Sequence, residues 1–218
     1  MQMVQKTEEN NQIQVNGKAK ENLFRAMEIM MQNLEANVIH LKKNKYFKHT
    51  QKFIELVYDG IINKRRLFLL ASGRSAFILQ CFATRLVHFN AEVYMVTNLG
   101  SIPALTNNDI LIVLSGSGTT EIVVSLLKNY VNTVQPYGIV SITSHPESII
   151  GRISEITIKL KGRTKRDKPA AGDDAILTPE GTNFEIAAFV YLDSIIAELA
   201  IKLGKTDEDM LKKHSQAT

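Results

Sequence analysis

Ser72-Gly73-Arg74-Ser75 and Ser115-Gly116-Ser117-Gly118-Thr119-Thr120 are the two stretches of this chain best suited to chemistry. Each follows an apolar run that reads as a buried strand, Leu67 to Ala71 and Ile110 to Leu114, and each opens into a helical pattern. Glycine lets the backbone approach a ligand closely. Ser and Thr hydroxyls, with the unpaired amides of a helix start, suit the oxygens of a phosphate. One such loop reads as an ordinary capped strand-helix turn; two of them favour a phosphate-ester site without metal ligands. A P-loop needs Lys after its last Gly, but Gly118 is followed by Thr119 and Thr120. A dinucleotide fingerprint on Gly116 and Gly118 needs a small residue where Glu121 stands.

Other groups admit two readings each. Glu185 stands three residues after Thr182, the spacing of a capping box, which is the reading the pattern alone favours; the functional reading is a carboxylate at a helix start, placed to move a proton. His214, near the end of the chain, suits the negative end of a helix dipole or titrates in a cleft. His88, near Arg85, reads as an interior or interface histidine and is a further candidate for the site. Arg74 is the one charge in the two loops and binds phosphate or pairs with an acid elsewhere. His40, His49 and His145 show no metal spacing, so no metal is expected. Cys81 lies on an apolar helix face and reads as packing.

The elements that must position these groups follow from hydrophobic spacing. Residues 1 to 17 lack periodicity and are expected to be flexible, with one domain over 18–218. From Asn22 to Leu41 a stripe of Leu23, Met27, Met30, Leu34, Val38 and Leu41 predicts a helix; Phe53 to Ile61 predict a second, ending near Gly60 and Asn63. This helical hairpin packs on the sheet or on another subunit. Strands are then predicted at Arg66–Ala71, Glu92–Val96, Asp109–Leu114, Tyr137–Thr143 and Glu155–Leu160, with helices at Ser75–Phe89 and Thr120–Asn132 and a short one after Pro146. Such alternation predicts an α/β fold, a five-stranded parallel sheet with helices on both faces, in the flavodoxin-like order 2-1-3-4-5. In that order strands one and three are neighbours, and theirs are the hydroxyl-rich loops. Lys161 to Gly181 is polar and without period; a long helix runs from Thr182 to Leu203, and Thr206 starts a last short one.

Composition narrows the class. The chain has 218 residues, 44% hydrophobic content, a net charge of +4 and one cysteine. That predicts one soluble cytoplasmic domain without disulfide or membrane span. Basic residues cluster at Lys42-Lys43-Lys45, Lys64-Arg65-Arg66 and Arg163 to Lys168. They read as a solvated surface or an attraction for anionic substrates rather than as a nucleic-acid face.

In chain order, Gly73-Arg74-Ser75, Arg85-Leu86-Val87-His88, the Ser115 to Thr120 loop, Gly162-Arg163-Thr164-Lys165 with Asp167, Leu177 through Thr178, Gly181 and Thr182 to Glu185, and Leu203-Gly204-Lys205 through Met210 to His214 form a familiar series. Over nearly its whole length from Asn22, the chain resembles the sugar isomerase (SIS) domain and, within it, the 6-phospho-3-hexuloisomerase family. The resemblance implies interconversion of D-arabino-hex-3-ulose 6-phosphate and fructose 6-phosphate in the ribulose monophosphate route, without a cofactor and in a homotetramer. It implies that Ser72, Gly73, Arg74, Ser75, Ser115, Gly116, Ser117, Thr119, Thr120, Thr178, Gly181 and Thr182 hold a phosphorylated sugar, with Glu185 and His214 catalytic. Ala71 and Ala76 depart from the family's glycines, and the tail after His214 departs from its usual ending. The same domain also serves aldose-ketose phosphosugar isomerases and non-catalytic sugar-phosphate sensors. The sensors carry a DNA-binding module, and no second module is evident in this chain.

Overall fold

The computed structural model describes residues 2–96, 102–168 and 174–213, and for residues 2–20, 174 and 175 the backbone alone. Five strands form one parallel sheet: β1 (Leu67–Leu70), β2 (Val93–Met95), β3 (Ile110–Leu114), β4 (Gly138–Thr143) and β5 (Ile156–Lys159). Their order is β2-β1-β3-β4-β5, as the alternation predicts. Leu67 is in register with Val93 on one side and Ile110 on the other, so β1 and β3 end side by side.

Period-two alternation sorts the strand residues onto two cores. Leu67, Leu69, Ile110, Ile112, Leu114, Val140 and Ile142 face α2 (Asn44–Ile62), α3 (Arg74–His88) and α7 (Thr182–Lys202). Phe68, Leu70, Leu111, Val113 and Ile139 face α4 (Glu121–Thr133) and α5 (Ile149–Ile153). The helices after β1 and β3 therefore lie on opposite faces. Their amino-terminal loops flank the opening at the carboxyl edge of the sheet, the usual ligand position in such folds.

The hairpin helices are longer than the apolar spacing indicates. α1 spans Gln2–Leu41 and α2 starts at Asn44. The backbone is helical from Gln2, within the stretch whose sequence shows no periodicity. Gln, Glu, Lys and Met are strong helix formers and sustain a helix where no apolar stripe marks one. Leu23, Met27 and Met31 on α1 are exposed. A short helix, α6 (Asp174–Leu177), lies in the stretch read as aperiodic, and α8 (Asp207–Leu211) follows α7. No helix among the described residues is long and apolar enough to cross a membrane.

At the amino edge of the sheet, Arg66 grips Asp109 through two hydrogen bonds, 2.8 and 2.6 Å, and the Thr106 amide and hydroxyl add two more. Burial pushes the Asp109 carboxyl up, but these donors outweigh it and hold it below the usual carboxylate range. Arg65 pairs with Asp59 and lies over the Tyr137 ring. Two of the three basic residues in that cluster are therefore engaged within the fold.

Candidate active site

Ser72 and Ser75 from the first loop meet Gly116, Ser117 and Thr120 from the second in a cleft of about 180 Å³. Gly73 turns the first loop with φ of 59°, a left-handed conformation in which glycine is unstrained. In the second loop the Ser115 and Thr120 hydroxyls lie 3.2 Å apart. The first helical bond of α4 runs from the Val124 amide to the Thr120 carbonyl, so the amides of the preceding turn face the loop without helical partners. Gly118, with φ of 63°, sits where a Cβ would collide with Ser148. Gly116 is equally constrained: a Cβ there would come 2.8 Å from the Phe184 ring and 3.1 Å from the Thr164 methyl.

Those contacts bring in a third wall. Thr164, Lys165, Glu180, Gly181, Phe184 and Glu185 complete the cleft. The turn carrying Lys165 is tied down by Asp167, whose carboxylate accepts from the Thr164 amide at 2.7 Å and from its hydroxyl at 3.0 Å. His145 contributes a ring nitrogen 3.0 Å from the same hydroxyl. Burial pushes the Asp167 carboxyl up; the Thr164 donors and the neighbouring His145 prevail and hold it below the usual range. Arg166 donates to the Ser117 carbonyl at 3.5 Å and joins this turn to the second loop.

Glu185 is not a cap. α7 is capped by Gly181, in the left-handed conformation with φ of 88°, and Thr182 lies inside the helix with no side-chain cap bond. The Glu185 carboxylate, with 13% of the side chain exposed, instead accepts from Arg74 Nε at 2.5 Å across the cleft. The capping-box reading of Thr182 and Glu185 is thereby overturned. A capping box does start α8, where Thr206 and Asp209 bond each other's backbone amides.

Other expected residues are placed differently. Gly73 and Arg74 shape and charge the rim without forming the wall, and Thr119 donates its amide to Ser117 Oγ. Thr178 is buried, its carbonyl accepting from Arg163, and neither it nor Thr182 lines the cleft. His88 is buried at the far end of α3, about 21 Å along the axis from Arg74 by helical rise, so it is not brought to the cleft within this chain. His214 lies outside the described residues. Thr164, Lys165 and Glu180 have no periodic signal; the resemblance contains them, the first two in its Gly162 to Lys165 segment and Glu180 in its Leu177 to Glu185 segment. A separate cavity of about 460 Å³ between α1, α2 and α7 is lined by side chains such as Leu34, Phe47, Ile54 and Val190 and has no hydroxyl-rich loop.

The SIS domain family model matches residues 60–171, from the end of α2 through both hydroxyl loops and the turn that carries Lys165. The chain belongs to the SIS domain family. Similar to this SIS chain is the Methanocaldococcus jannaschii protein named 3-hexulose-6-phosphate isomerase, 30% identical over 82% of this chain and 91% of that one. A Bacillus subtilis protein of the same name is 30% identical over 72% and 82%. A crystal structure of a Methanococcus jannaschii protein, from which that function was inferred, superposes with a TM-score of 0.71 at 26% identity, covering 88% of this chain and 98% of that one.

Proposed function

We propose that this SIS chain is a phosphosugar isomerase that interconverts D-arabino-hex-3-ulose 6-phosphate and D-fructose 6-phosphate through an enediol, without a metal or cofactor. The observation that carries the reading is the Glu185 carboxylate, free of any capping duty and set in the cleft opposite two hydroxyl-rich loops. The named relatives support the choice of substrate.

The substrate phosphate belongs at Ser115, Ser117 and Thr120 and the start of α4, where hydroxyls and helix amides supply donors. Lys165 adds a cation on the facing wall. The remaining sugar then extends toward Glu185. In the direction of fructose 6-phosphate, Glu185 takes the proton from carbon 2, electrons move into the carbon 3 carbonyl, and an enediolate forms. The same carboxyl returns its proton to carbon 3 as the carbonyl forms at carbon 2. One carboxylate base between adjacent carbons suffices. We assign the oxygen-to-oxygen proton movement to His214. Arg74, paired with Glu185, is placed at the rim to give a substrate oxygen a second, cationic partner beside that carboxylate. The resemblance implies a homotetramer, and the exposed Leu23, Met27 and Met31 of α1 offer an apolar face to another subunit.

The test is a coupled assay in which a hexulose-phosphate synthase, ribulose 5-phosphate and formaldehyde generate the 3-hexulose phosphate. Wild type turns it over, and Glu185→Gln loses about 10²- to 10⁴-fold in kcat with its fold intact. Wild type inactive here but active on an aldose phosphate would move the assignment to an aldose-ketose isomerase. Binding of sugar phosphates without turnover of either would identify a sensor.

A further inference from the structure

α1 carries, among its apolar residues, three inward polar ones at helical spacing: Asn33, Asn37 and His40. Asn is a poor helix former, and a buried amide must be bonded to be tolerated. Both asparagines reach segments that build the cleft. Asn37, 4% exposed, donates its amide to the Lys161 carbonyl at 2.9 Å and accepts from the Lys161 N–H at 2.7 Å. Asn33 donates to the Asn183 carbonyl at 2.8 Å. His40 lies against the Tyr46 ring, the two centroids 3.8 Å apart and the planes tilted by 37°.

These anchors converge on the proposed base. Asn183 lies two residues before Glu185 in the first turn of α7. Lys161 precedes Gly162, whose backbone lies against that turn so closely that a Cβ would come within 2.5 Å of Phe184 Cα. The Gly162 carbonyl accepts from Ser144 Oγ at 2.9 Å, so the segment from Lys161 is held from both sides. Three residues further on stands Lys165 in the wall. A helix that merely covered the sheet would need only apolar contacts; polar groups bonded to main chain fix one register and one depth.

We propose that Asn33 and Asn37 are positioning residues: through α1 they set the first turn of α7, and with it Glu185, against the Lys161 to Lys165 wall. Neither touches the cleft. The kinetic side of this inference rests on the isomerase reading given above; the structural side does not.

The experiment compares wild type, Asn37→Ala, Asn33→Ala and a control, Ile139→Ala, at the amino end of β4 in the opposite core. The expected result has two parts. Amide hydrogen exchange speeds up at 161–165 and 182–187 in both asparagine variants but not in the control. In the coupled assay kcat falls about 10-fold or more, KM stays within twofold, and the control at comparable melting temperature keeps its kcat. If Asn37→Ala does not fold, Asn33→Ala decides alone. Unchanged exchange in those two segments overturns the inference whatever the substrate. Changed exchange with kcat within twofold of an active wild type overturns it too. An inactive wild type refutes the isomerase reading instead, and the exchange result then decides the positioning role.

Discussion

Gly162→Ala isolates the tie between the wall loop and the helix that carries Glu185. Its new methyl would lie 2.5 Å from Phe184 Cα and 2.8 Å from Phe184 Cβ, and it would also meet the Phe184 nitrogen. Carbon atoms settle at about 3.5 Å or more, so the two segments must part by roughly 1 Å. The obstacle is main chain, which no rotamer change can clear. Either the Lys161 to Lys165 wall or the first turn of α7 has to move, and both line the cleft. Overpacking of this kind costs about 1–3 kcal/mol. For a chain of this size that lowers the melting temperature by about 2–12 °C. A displacement of about 1 Å between a reacting group and its substrate costs on the order of 10²-fold in rate. Circular dichroism melts give the first quantity and the coupled isomerase assay the second. Gly138→Ala is the control: its methyl would meet the Leu56 side-chain tip at 2.8 Å, at the edge of the sheet away from the cleft. It should lower stability and spare kcat. Wild-type stability together with wild-type kcat in Gly162→Ala would refute the reasoning. Equal loss of kcat in both variants would refute it as well, because the effect would then be general loosening.

Three further outcomes follow from charges and caps. Asp109, held below the usual carboxylate range by Arg66 and Thr106 against its burial, contributes stability that is present above about pH 4 and is lost as pH falls through its lower folded value. Asp109→Asn should cost about 3 kcal/mol and flatten that acid limb in thermal melts; an unchanged limb would show that the pair is not its source. His40 is held below the ordinary histidine value first by burial and then by Lys161, Lys159 and Lys43. The unfolded chain therefore protonates first as pH falls below about 6.5, and stability declines there; His40→Gln should remove that part of the slope, measured from about pH 7.5 to 5.5. Thr206→Ala removes the capping box of α8 and should cost that helix about 1 kcal/mol, read as roughly fivefold faster exchange of the Asp209 amide, with the global melting point unmoved.

The parallel sheet, its order and the pairing of the two hydroxyl loops were legible in the sequence. Apolar strands such as Ile110 to Leu114 and the periodic faces of α3 and α7 state their burial in residue type alone, and chain connectivity then leaves few topologies. What the sequence by itself could not decide was the duty of Glu185. Thr182-x-x-Glu185 satisfies a local capping rule, and local spacing carries no information about Arg74, more than a hundred positions away. Only the packing of α3 against α7 brings the two together, while Gly181 takes over the cap. The third wall was hidden for the same reason. Thr164, Lys165 and Glu180 sit in segments with no period, fixed by Asp167, by His145 and by the fit of Gly162 on Phe184. The role of Asn33 and Asn37 was hidden as well, since an asparagine in a helix looks like a surface residue until its partners are seen. Hydrophobic periodicity is a property of neighbours along the chain and is written in the sequence. A binding cleft is made by contacts between segments far apart in it, and those exist only once the chain has folded.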